Sequence, residues 1–470
     1  MRRLVRVAAL IGIVAVLAAV LRAQAFDLVI ANGRVLDPES GLDAIRNVGV
    51  NGGTIAAISD DRMNGRAMID ASGLVVSPGF IDLHAHGQTP ETYGYQARDG
   101  VTTALELEVG TGDIAAWYNA RKNGARINYG VSIGHIPLRM AVLRDPGTFL
   151  PTGDGAHRPA SPAQIREIVS RLTDGLDQGA VSMGAGFPYT PAAAETELIE
   201  VFRVSASRRV PIHTHVRRGI AGVEEALKLA AGTRARLHIV HINSTGTSST
   251  REALSMVAAA RQKGIDVTTE AYPYAAGMTE IQSANLDEYE NASEQRVALL
   301  EWPRTGERLT RESFQKYRKI GGPVVLHTNT EEMVAVAIVS PLTMIASDAY
   351  WENGTGHPRT AGTYSRVLGR YVRESRALTL MDAIRKMTLM PAQHLEDRVQ
   401  AMRAKGRLRV GADADITIFD ALEVVDRSTY RDPAVPPLGI AHVIVGGVPV
   451  VANGQLLDSV APGRAIRASR

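Results

Sequence analysis

Between residues 79 and 387 the sequence alternates short apolar segments with longer helical ones, and this alternation constrains the fold more than any other feature. Strands that alternate with helices form parallel sheets, because each helix carries the chain back to the edge where the next strand starts. The candidate strands are Phe80–His86, Thr102–Glu108, Asn128–Gly134, Ala180–Met183, Pro211–His215, Leu237–His241, Val267–Glu270, Val324–His327 and Met344–Ser347. About eight strand–helix repeats predict an α/β fold, a (β/α)8 TIM-like barrel over residues 79–400.

The two ends of the chain have a different pattern from the middle. Residues 26–78 and 401–470 contain short alternating strand patterns separated by turns. Asn32-Gly33 and Asn51-Gly52 predict hairpin turns in the first stretch, and Asn453-Gly454 closes the second. We therefore expect the two ends to form one small β-sandwich domain beside the barrel.

Residues 1–25 have the composition of a targeting segment. Arg2, Arg3 and Arg6 precede an apolar run of 15 residues, Val7–Leu21, and Ala23-Gln24-Ala25 provides a small-x-small site. This order predicts a signal peptide cleaved after Ala25, and thus a periplasmic or extracellular protein. A membrane-spanning helix needs about 20 residues. The protein would contact a membrane only if this segment were retained as an anchor.

Composition excludes several classes of function. The chain has 470 residues, 45% of them hydrophobic, and it can bury a large core. Its net charge is only +3 and its arginines are not clustered with aromatic residues, so we expect no nucleic-acid partner. It has no cysteine, which excludes disulfides and thiolate metal ligands. The sequence leaves the oligomeric state open, and a homo-oligomer is one of the alternatives.

Histidines and acids recur where the predicted strands end, the edge of a barrel that carries the chemistry. His84 and His86 are two positions apart, so on a strand both imidazoles face one point, as a divalent metal requires. Later strand ends provide Glu106, Glu108, His213, His215, His238, His241 and Asp348.

The position of each residue along its strand separates candidate ligands from core residues. The terminal members Glu108, His215 and His241 are the expected ligands. The deeper members Glu106, His213 and His238 are expected to be buried partners in the barrel. Asp348 either caps a loop or transfers protons beside the metal, and the second role suits its position better.

These motifs resemble the amidohydrolase superfamily, and most closely its N-acyl-D-amino-acid deacylase branch, the D-aminoacylases. The resemblance covers nearly the whole chain after residue 25. It is carried by segments 77–86, 100–103, 186–191, 214–217, 271–274, 347–348, 357–359, 411–416 and 445–450. The resemblance implies a metal-dependent hydrolase that cleaves a C–N amide bond of a small N-acyl amino acid.

The resemblance also implies ligand roles. His84 and His86 would bind one metal and His215 and His241 a second, with Asp348 contacting the first metal and acting as general acid and base. D-aminoacylases typically bridge their metals with a cysteine, and many relatives use a carboxylated lysine. This chain has no cysteine and no lysine on a predicted strand, so we expect Glu108 to bridge two Zn²⁺ ions.

Further residues are candidates for substrate binding. Tyr272 is expected to hydrogen-bond the substrate carbonyl oxygen, and Tyr189 to line the substrate site. Arg217 and Arg359 are expected either to bind a substrate carboxylate or to form structural ion pairs. Asn243 stands where the branch often has a lysine.

Two other functions remain open at this point. A cyclic-amide hydrolase of the dihydroorotase or hydantoinase kind would use the same metals on a ring. An exported binding protein that has lost its chemistry would keep the barrel, but the four histidines and Asp348 speak against it.

Overall fold

The structure is a computed structural model that describes residues 26–469. The predicted signal peptide, residues 1–25, lies outside the described residues. Two large sheets organise the chain, one in its middle and one formed by both ends. Over residues 26–469, no helix combines the length and the apolar character that crossing a membrane requires.

Eight parallel strands form the central barrel, side by side in the order of the sequence. The barrel strands, called first to eighth below, are Phe80–Asp82, Val101–Thr111, Asn128–Gly134, Met183–Gly186, Pro211–His215, Arg236–Ile239, Val267–Ala271 and Thr343–Ile345. A parallel bridge between Ala85 and Ala349 joins the chain beyond the first strand to that beyond the eighth. This arrangement confirms the (β/α)8 TIM-like barrel.

Helices follow the barrel strands, and those from Arg359 onward come after the eighth strand. Those before the seventh strand are Pro90–Arg98, Ile114–Asn119, His135–Leu143, Asp154–His157, Pro162–Asp177, Phe187–Tyr189, Glu195–Arg208, Gly219–Thr233, Ile242–Gly246, Thr247–Ser249 and Thr250–Gln262. Those after it are Ala284–Asn291, Glu294–Val297, Arg311–Ile320, Glu331–Val339, Arg359–Arg366, Val367–Glu374, Leu380–Met387, Leu389–Leu395 and Gln400–Ala404. The helix Pro162–Asp177 shows why such segments are helical: Ser161 and Gln164 form a capping box, and the residues it buries include Ile168 and Leu172.

A four-stranded antiparallel sheet is inserted between the seventh and eighth barrel strands. We call it the insert sheet, and its strands are Gly277–Glu280, Leu300–Trp302, Glu307–Arg308 and Pro323–Leu326. The prediction of a barrel strand at Val324–His327 is therefore wrong, because this segment pairs antiparallel within the insert sheet. Its apolar run resembles a barrel strand, and only the pairing partner distinguishes the two. A short hairpin, Trp351–Glu352 and Thr355–Gly356, follows the eighth strand.

The chain ends form one mixed sheet of nine strands, as expected for the predicted β-sandwich. Its strands are Phe26–Asp37, Leu42–Asn51, Thr54–Ser59, Gly65–Asp70, Val75–Pro78, Ile416–Phe419, Ile440–Val445, Val448–Ala452 and Gln455–Leu456. The two ends meet where Val76 pairs with Ile418 in an antiparallel ladder. Both residues are fully buried, so the contact between the ends is part of the core.

Two of the three predicted Asn-Gly turns connect neighbouring strands. Asn51-Gly52 and Asn453-Gly454 each join antiparallel strands. The prediction for Asn32-Gly33 is wrong, because these residues form an irregularity within the strand Phe26–Asp37. Asn32 has φ 60°, and a Cβ at position 33 would lie 2.4 Å from Cγ2 of Val76, so glycine is required by close packing.

The C-terminal segment returns to the barrel after leaving the terminal sheet. Gly463 and Ala465 form bridges with Ala125 and Tyr129, beside the third barrel strand. The hydroxyl of Tyr118 donates to the carbonyl of Ile466 over 2.6 Å. The last described residues thus pack on the barrel, although the sequence pattern groups all of 401–470 with the β-sandwich.

Candidate metal centre

The first and eighth barrel strands are held together by Asp82, just below the candidate site. Its Oδ1 accepts hydrogen bonds from the backbone amides of His84 and Ser347 at 3.1 and 3.0 Å. Asp82 therefore fixes the two segments that present His84, His86 and Asp348 to the same end of the barrel.

Four predicted residues converge there in a first cluster. It consists of His84, His86, Glu108 and Asp348, all buried. Nε2 of His84 lies 2.7 Å from Oε2 of Glu108, 3.1 Å from Nε2 of His86 and 3.3 Å from Oδ1 of Asp348. Two imidazole nitrogens and two carboxylate oxygens thus face one point, a donor set that suits Zn²⁺.

A second cluster shares Glu108 with the first. Oε1 of Glu108 lies 2.7 Å from Nδ1 of His215, which lies 3.2 Å from Nε2 of His241. One oxygen of Glu108 therefore faces each cluster, which is the geometry of a carboxylate that bridges two cations. Glu106 is not part of either cluster, in agreement with its expected role as a buried partner.

Carboxylates support the histidines of the first cluster from behind. Nδ1 of His86 lies 2.6 Å from Oε2 of Glu106, and Nδ1 of His84 lies 2.6 Å from Oε1 of Glu270. Such bonds place the proton on Nδ1 and leave Nε2 free to bind a metal. Glu270 was not among the predicted site residues, although an acid that ends a predicted barrel strand was the signal used for the others.

The charges of the site fit bound cations. The site contains four buried carboxylates, those of Glu106, Glu108, Glu270 and Asp348, and the buried guanidinium of Arg359 pairs with the last of them. Burial lowers the pKa of His84, but the charges of Asp348, Glu270 and Glu108 outweigh burial and raise that pKa well above its ordinary value. The site therefore has an excess of negative charge that divalent cations would offset.

Local backbone geometry holds the ligands in place. His241 and Asp348 have φ angles of 33° and 52°, in the left-handed region that non-glycine residues rarely adopt. A Cβ at Gly184, on the fourth strand, would lie 2.1 Å from the carbonyl oxygen of Glu108. Close packing at Gly184 and strained backbone at two predicted ligands mark this end of the barrel as a functional site.

A chain of buried polar groups leads from this site into the barrel interior. Oε2 of Glu270 lies 3.2 Å from Nε2 of His238, whose Nδ1 lies 2.8 Å from the hydroxyl of Thr268. His394 continues the chain, with Nε2 3.3 Å from Nε2 of His213. His213 and His238 are thus core histidines, as predicted. Both ring nitrogens of His238 already have partners, so this group supports the first cluster through Glu270.

A cavity opens above the two clusters. Tyr189 and Tyr272, both predicted, line it together with Asp348. The ring centroid of Tyr189 lies 5.0 Å from that of His215, and its hydroxyl accepts a bond from Thr279 at 3.3 Å. The predicted substrate tyrosines therefore lie beside the candidate metal ligands.

The structure does not place the other three predicted substrate residues in the cavity lining. Arg217 forms an ion pair with Glu225 and lies over the ring of Phe187. Of its two expected roles, the structural ion pair therefore describes it, and not the binding of a substrate carboxylate. Asn243 is fully buried, and its side chain bonds the backbone amide and carbonyl of Tyr272.

Arg359 is fully buried behind the cavity. Its Nη2 lies 2.9 Å from Oδ2 of Asp348, at ion-pair distance but without the alignment of a hydrogen bond. Its guanidinium also lies 4.6 Å from the ring centroid of Tyr272. Arg359 therefore contacts both Asp348 and Tyr272 from behind the cavity. The arginine that does line the cavity is Arg218, which no sequence signal distinguished from its neighbour.

Comparison with known proteins identifies relatives over most of the chain. Residues 139–451 match the model of the amidohydrolase family. The N-acyl-D-glutamate deacylase of Alcaligenes xylosoxydans xylosoxydans is 30% identical over 496 residues, covering 94% of this chain and 97% of the relative. An allantoinase of Escherichia coli strain SE11 is 28% identical but covers only 53% of this chain and 59% of its own.

Solved structures agree with this comparison. The zinc and phosphonate complex of N-acyl-D-glutamate deacylase from Bordetella bronchiseptica superposes with a TM-score of 0.82 at 26% identity, covering 95% of this chain and all of that chain. A D-aminoacylase with a binuclear metal centre superposes with a TM-score of 0.79 at 25% identity, covering 94% of this chain and all of that chain. Both similarities extend over the barrel and the terminal sheet.

Proposed function

Because the chain belongs to the amidohydrolase family, we propose that it is a metal-dependent hydrolase that cleaves the C–N amide bond of small N-acyl amino acids, as D-aminoacylases do. The observation that carries this proposal is the position of Glu108, whose two carboxylate oxygens face two separate groups of imidazoles beneath the cavity. That geometry suits a binuclear centre, and the full-length relatives are deacylases.

We further propose that the centre holds two Zn²⁺ ions bridged by Glu108. Imidazole nitrogens and carboxylate oxygens are the ligands of catalytic zinc sites. His84, His86 and Asp348 would hold one ion, and His215 and His241 the other. Bound zinc ions supply a water molecule of lowered pKa and polarise the amide carbonyl.

The surrounding residues would move the protons. Oδ1 of Asp348 faces the first cluster and would accept the proton of the attacking water. The same carboxyl group would donate that proton to the departing amide nitrogen, which must leave as an amine. Arg359, 2.9 Å from Oδ2, keeps Asp348 oriented. The hydroxyl of Tyr272 would donate to the carbonyl oxygen as negative charge develops there.

The cavity also has a group that can bind a substrate carboxylate. Arg218 lines it, and the only ion pair of Arg218 among the described residues is a 3.3 Å contact with the half-exposed Glu288. A contact of this length in solvent is weak, so the guanidinium remains available to a ligand. We propose that Arg218 takes the role that the sequence suggested for Arg217.

The test is a substrate panel with the zinc-loaded enzyme. N-acetyl-D-amino acids, their L-enantiomers, dipeptides and cyclic amides such as hydantoin are compared by kcat/KM. Hydrolysis of the linear N-acyl amino acids supports the proposal. Preference for the cyclic amides would favour a hydantoinase-like enzyme, and a protein that neither takes up zinc nor turns over any of these compounds would favour a binding protein.

We also propose that the protein is exported, on the basis of residues 1–25. Fractionation of cells that produce the full chain, with sequencing of the mature N-terminus, tests this. An N-terminus at Phe26 in the periplasm or medium is expected, and an intact chain in the cytoplasm would contradict it.

A further inference from the structure

A further acid lies in the wall of the active-site cavity, apart from the metal centre. Glu280 ends the insert-sheet strand Gly277–Glu280, and all four residues of this strand line the cavity. Glu280 is only 5% exposed to solvent. Tyr350, another lining residue, lies beside it: burial raises the pKa of Tyr350 and the Glu280 charge raises it further.

Glu280 lacks a cationic partner within residues 26–469, where its side chain accepts a hydrogen bond from Nε2 of Gln282 at 3.0 Å. Burial raises the pKa of Glu280 to about 7, and the neighbouring Glu352 contributes in the same direction, while the backbone amide of Leu150 lowers it. A buried carboxylate without a cation is costly, and a ligand that brings a positive charge removes that cost.

We infer that Glu280 receives a cationic group of the substrate, so that the cavity selects N-acyl amino acids that carry a primary ammonium group. This inference rests on the proposed function, because it uses the same cavity. Arg218 and Glu280 both line the cavity without pairing with each other. Because the Arg218 guanidinium and the Glu280 carboxylate do not pair with each other, the first can bind the carboxylate of a substrate and the second its ammonium group.

An acidic side chain would have the opposite effect. The carboxylate of N-acyl-D-glutamate placed beside Glu280 would bring like charges together in a poorly solvated wall, which excludes such substrates by repulsion. The cavity of this chain would therefore discriminate against acidic substrates and in favour of basic ones.

The ammonium group can come from either side of the scissile bond. It can belong to the amino-acid side chain, as in Nα-acetyl-D-lysine, or to the acyl group, as in the dipeptide glycyl-D-norleucine. Nα-acetyl-D-norleucine is the neutral reference for both, because it has nearly the same shape without the positive charge.

The experiment measures the affinities of these three ligands by calorimetry on the zinc-loaded full chain carrying Asp348→Asn, which slows turnover. We expect one cationic ligand to bind about 10-fold or more tightly than the reference, and we expect Glu280→Gln to bring the ratio close to one. Glu280→Asp, which keeps the charge, should retain a preference. Glu352→Gln is the matched control, since the charge of Glu352 acts on Glu280 although Glu352 does not line the cavity. This variant should keep most of the preference for the cationic ligand.

The readout is the ratio of the affinities for the cationic ligand and the neutral reference. A variant that folds less well or binds all ligands less tightly therefore leaves this ratio unchanged. Equal binding of charged and neutral ligands, or a preference that survives Glu280→Gln, would overturn the inference. Turnover of all three compounds by the chain with Asp348 intact is measured separately. Absence of turnover with every one of them would refute the hydrolase proposal, while the binding ratios would still decide the role of Glu280.

Discussion

Replacing Glu108 by glutamine tests the central feature of the site. Glutamine keeps the shape of the side chain but replaces one carboxylate oxygen with an NH2 group, which cannot ligate a metal. Oε2 belongs to the four-residue cluster and Oε1 to the three-residue cluster, so at least one cluster loses a ligand. The negative charge that lies between the two clusters is lost as well.

Glu106 provides a matched comparison on the same strand. Glu106→Gln leaves every atom of both clusters in place and changes only supporting bonds, those of Glu106 to Nδ1 of His86 and to the backbone amides of Val109 and Gly110. Loss of such a supporting carboxylate typically costs about 10- to 100-fold in metal affinity or activity. Loss of the bridging ligand should exceed that range, so we expect Glu108→Gln to lower kcat/KM by more than about 100-fold, or about 2.8 kcal/mol.

The assay combines zinc content after equilibrium dialysis with kcat/KM for an N-acetyl-D-amino acid. Thermal unfolding of both variants serves as the folding control. If Glu106→Gln lost more zinc and more activity than Glu108→Gln, the shared ligand would be Glu106 and the proposed role of Glu108 would be wrong.

Three further variants, with Arg217→Gln as a control, test the proton carrier, the cavity arginine and a buried ion pair. Asp348→Asn should reduce kcat by roughly 10²–10⁴ with the fold intact, because the proton carrier is lost, and near-full activity would remove Asp348 from the mechanism. Arg218→Gln should raise KM for a free acid at least about 10-fold while Arg217→Gln changes it little, and the reverse order would restore the sequence-based choice. Lys405→Met leaves the buried carboxylate of Asp415 without its cation and should lower the free energy of unfolding by about 3–5 kcal/mol in urea titrations, whereas an unchanged midpoint would show that this ion pair is dispensable.

The barrel and the positions of its candidate ligands followed from the sequence because both depend on local patterns. A parallel barrel brings all its strand ends to one edge, so a histidine or acid at a strand end has a determined neighbourhood. His84, His86, Glu108, His215, His241 and Asp348 are brought together for that reason. Glu270 is the penultimate residue of the seventh strand and ends the predicted one, so the same signal made it recognisable.

The placement of the candidate substrate residues depended on loop conformation, which no local pattern determines. Arg217 and Arg218 are adjacent in sequence, yet the first pairs with Glu225 outside the cavity and the second lines it. Asn243 and Arg359 were also candidates because of neighbouring motifs, but both side chains are buried. Asn243 bonds the backbone of Tyr272, and Arg359 pairs with Asp348.

The sequence by itself thus determined the fold class, the association of the two chain ends in one domain and the edge of the barrel that carries the chemistry. These features follow from strand periodicity and from the residue types at strand ends, which are patterns of only a few residues. Only the tertiary structure decided which run of apolar residues joins the barrel and which joins the insert sheet. Val324 and Met344 begin similar apolar runs, and only their pairing partners differ. It also placed Glu280 in the cavity wall, since that position depends on how the insert sheet packs over the barrel.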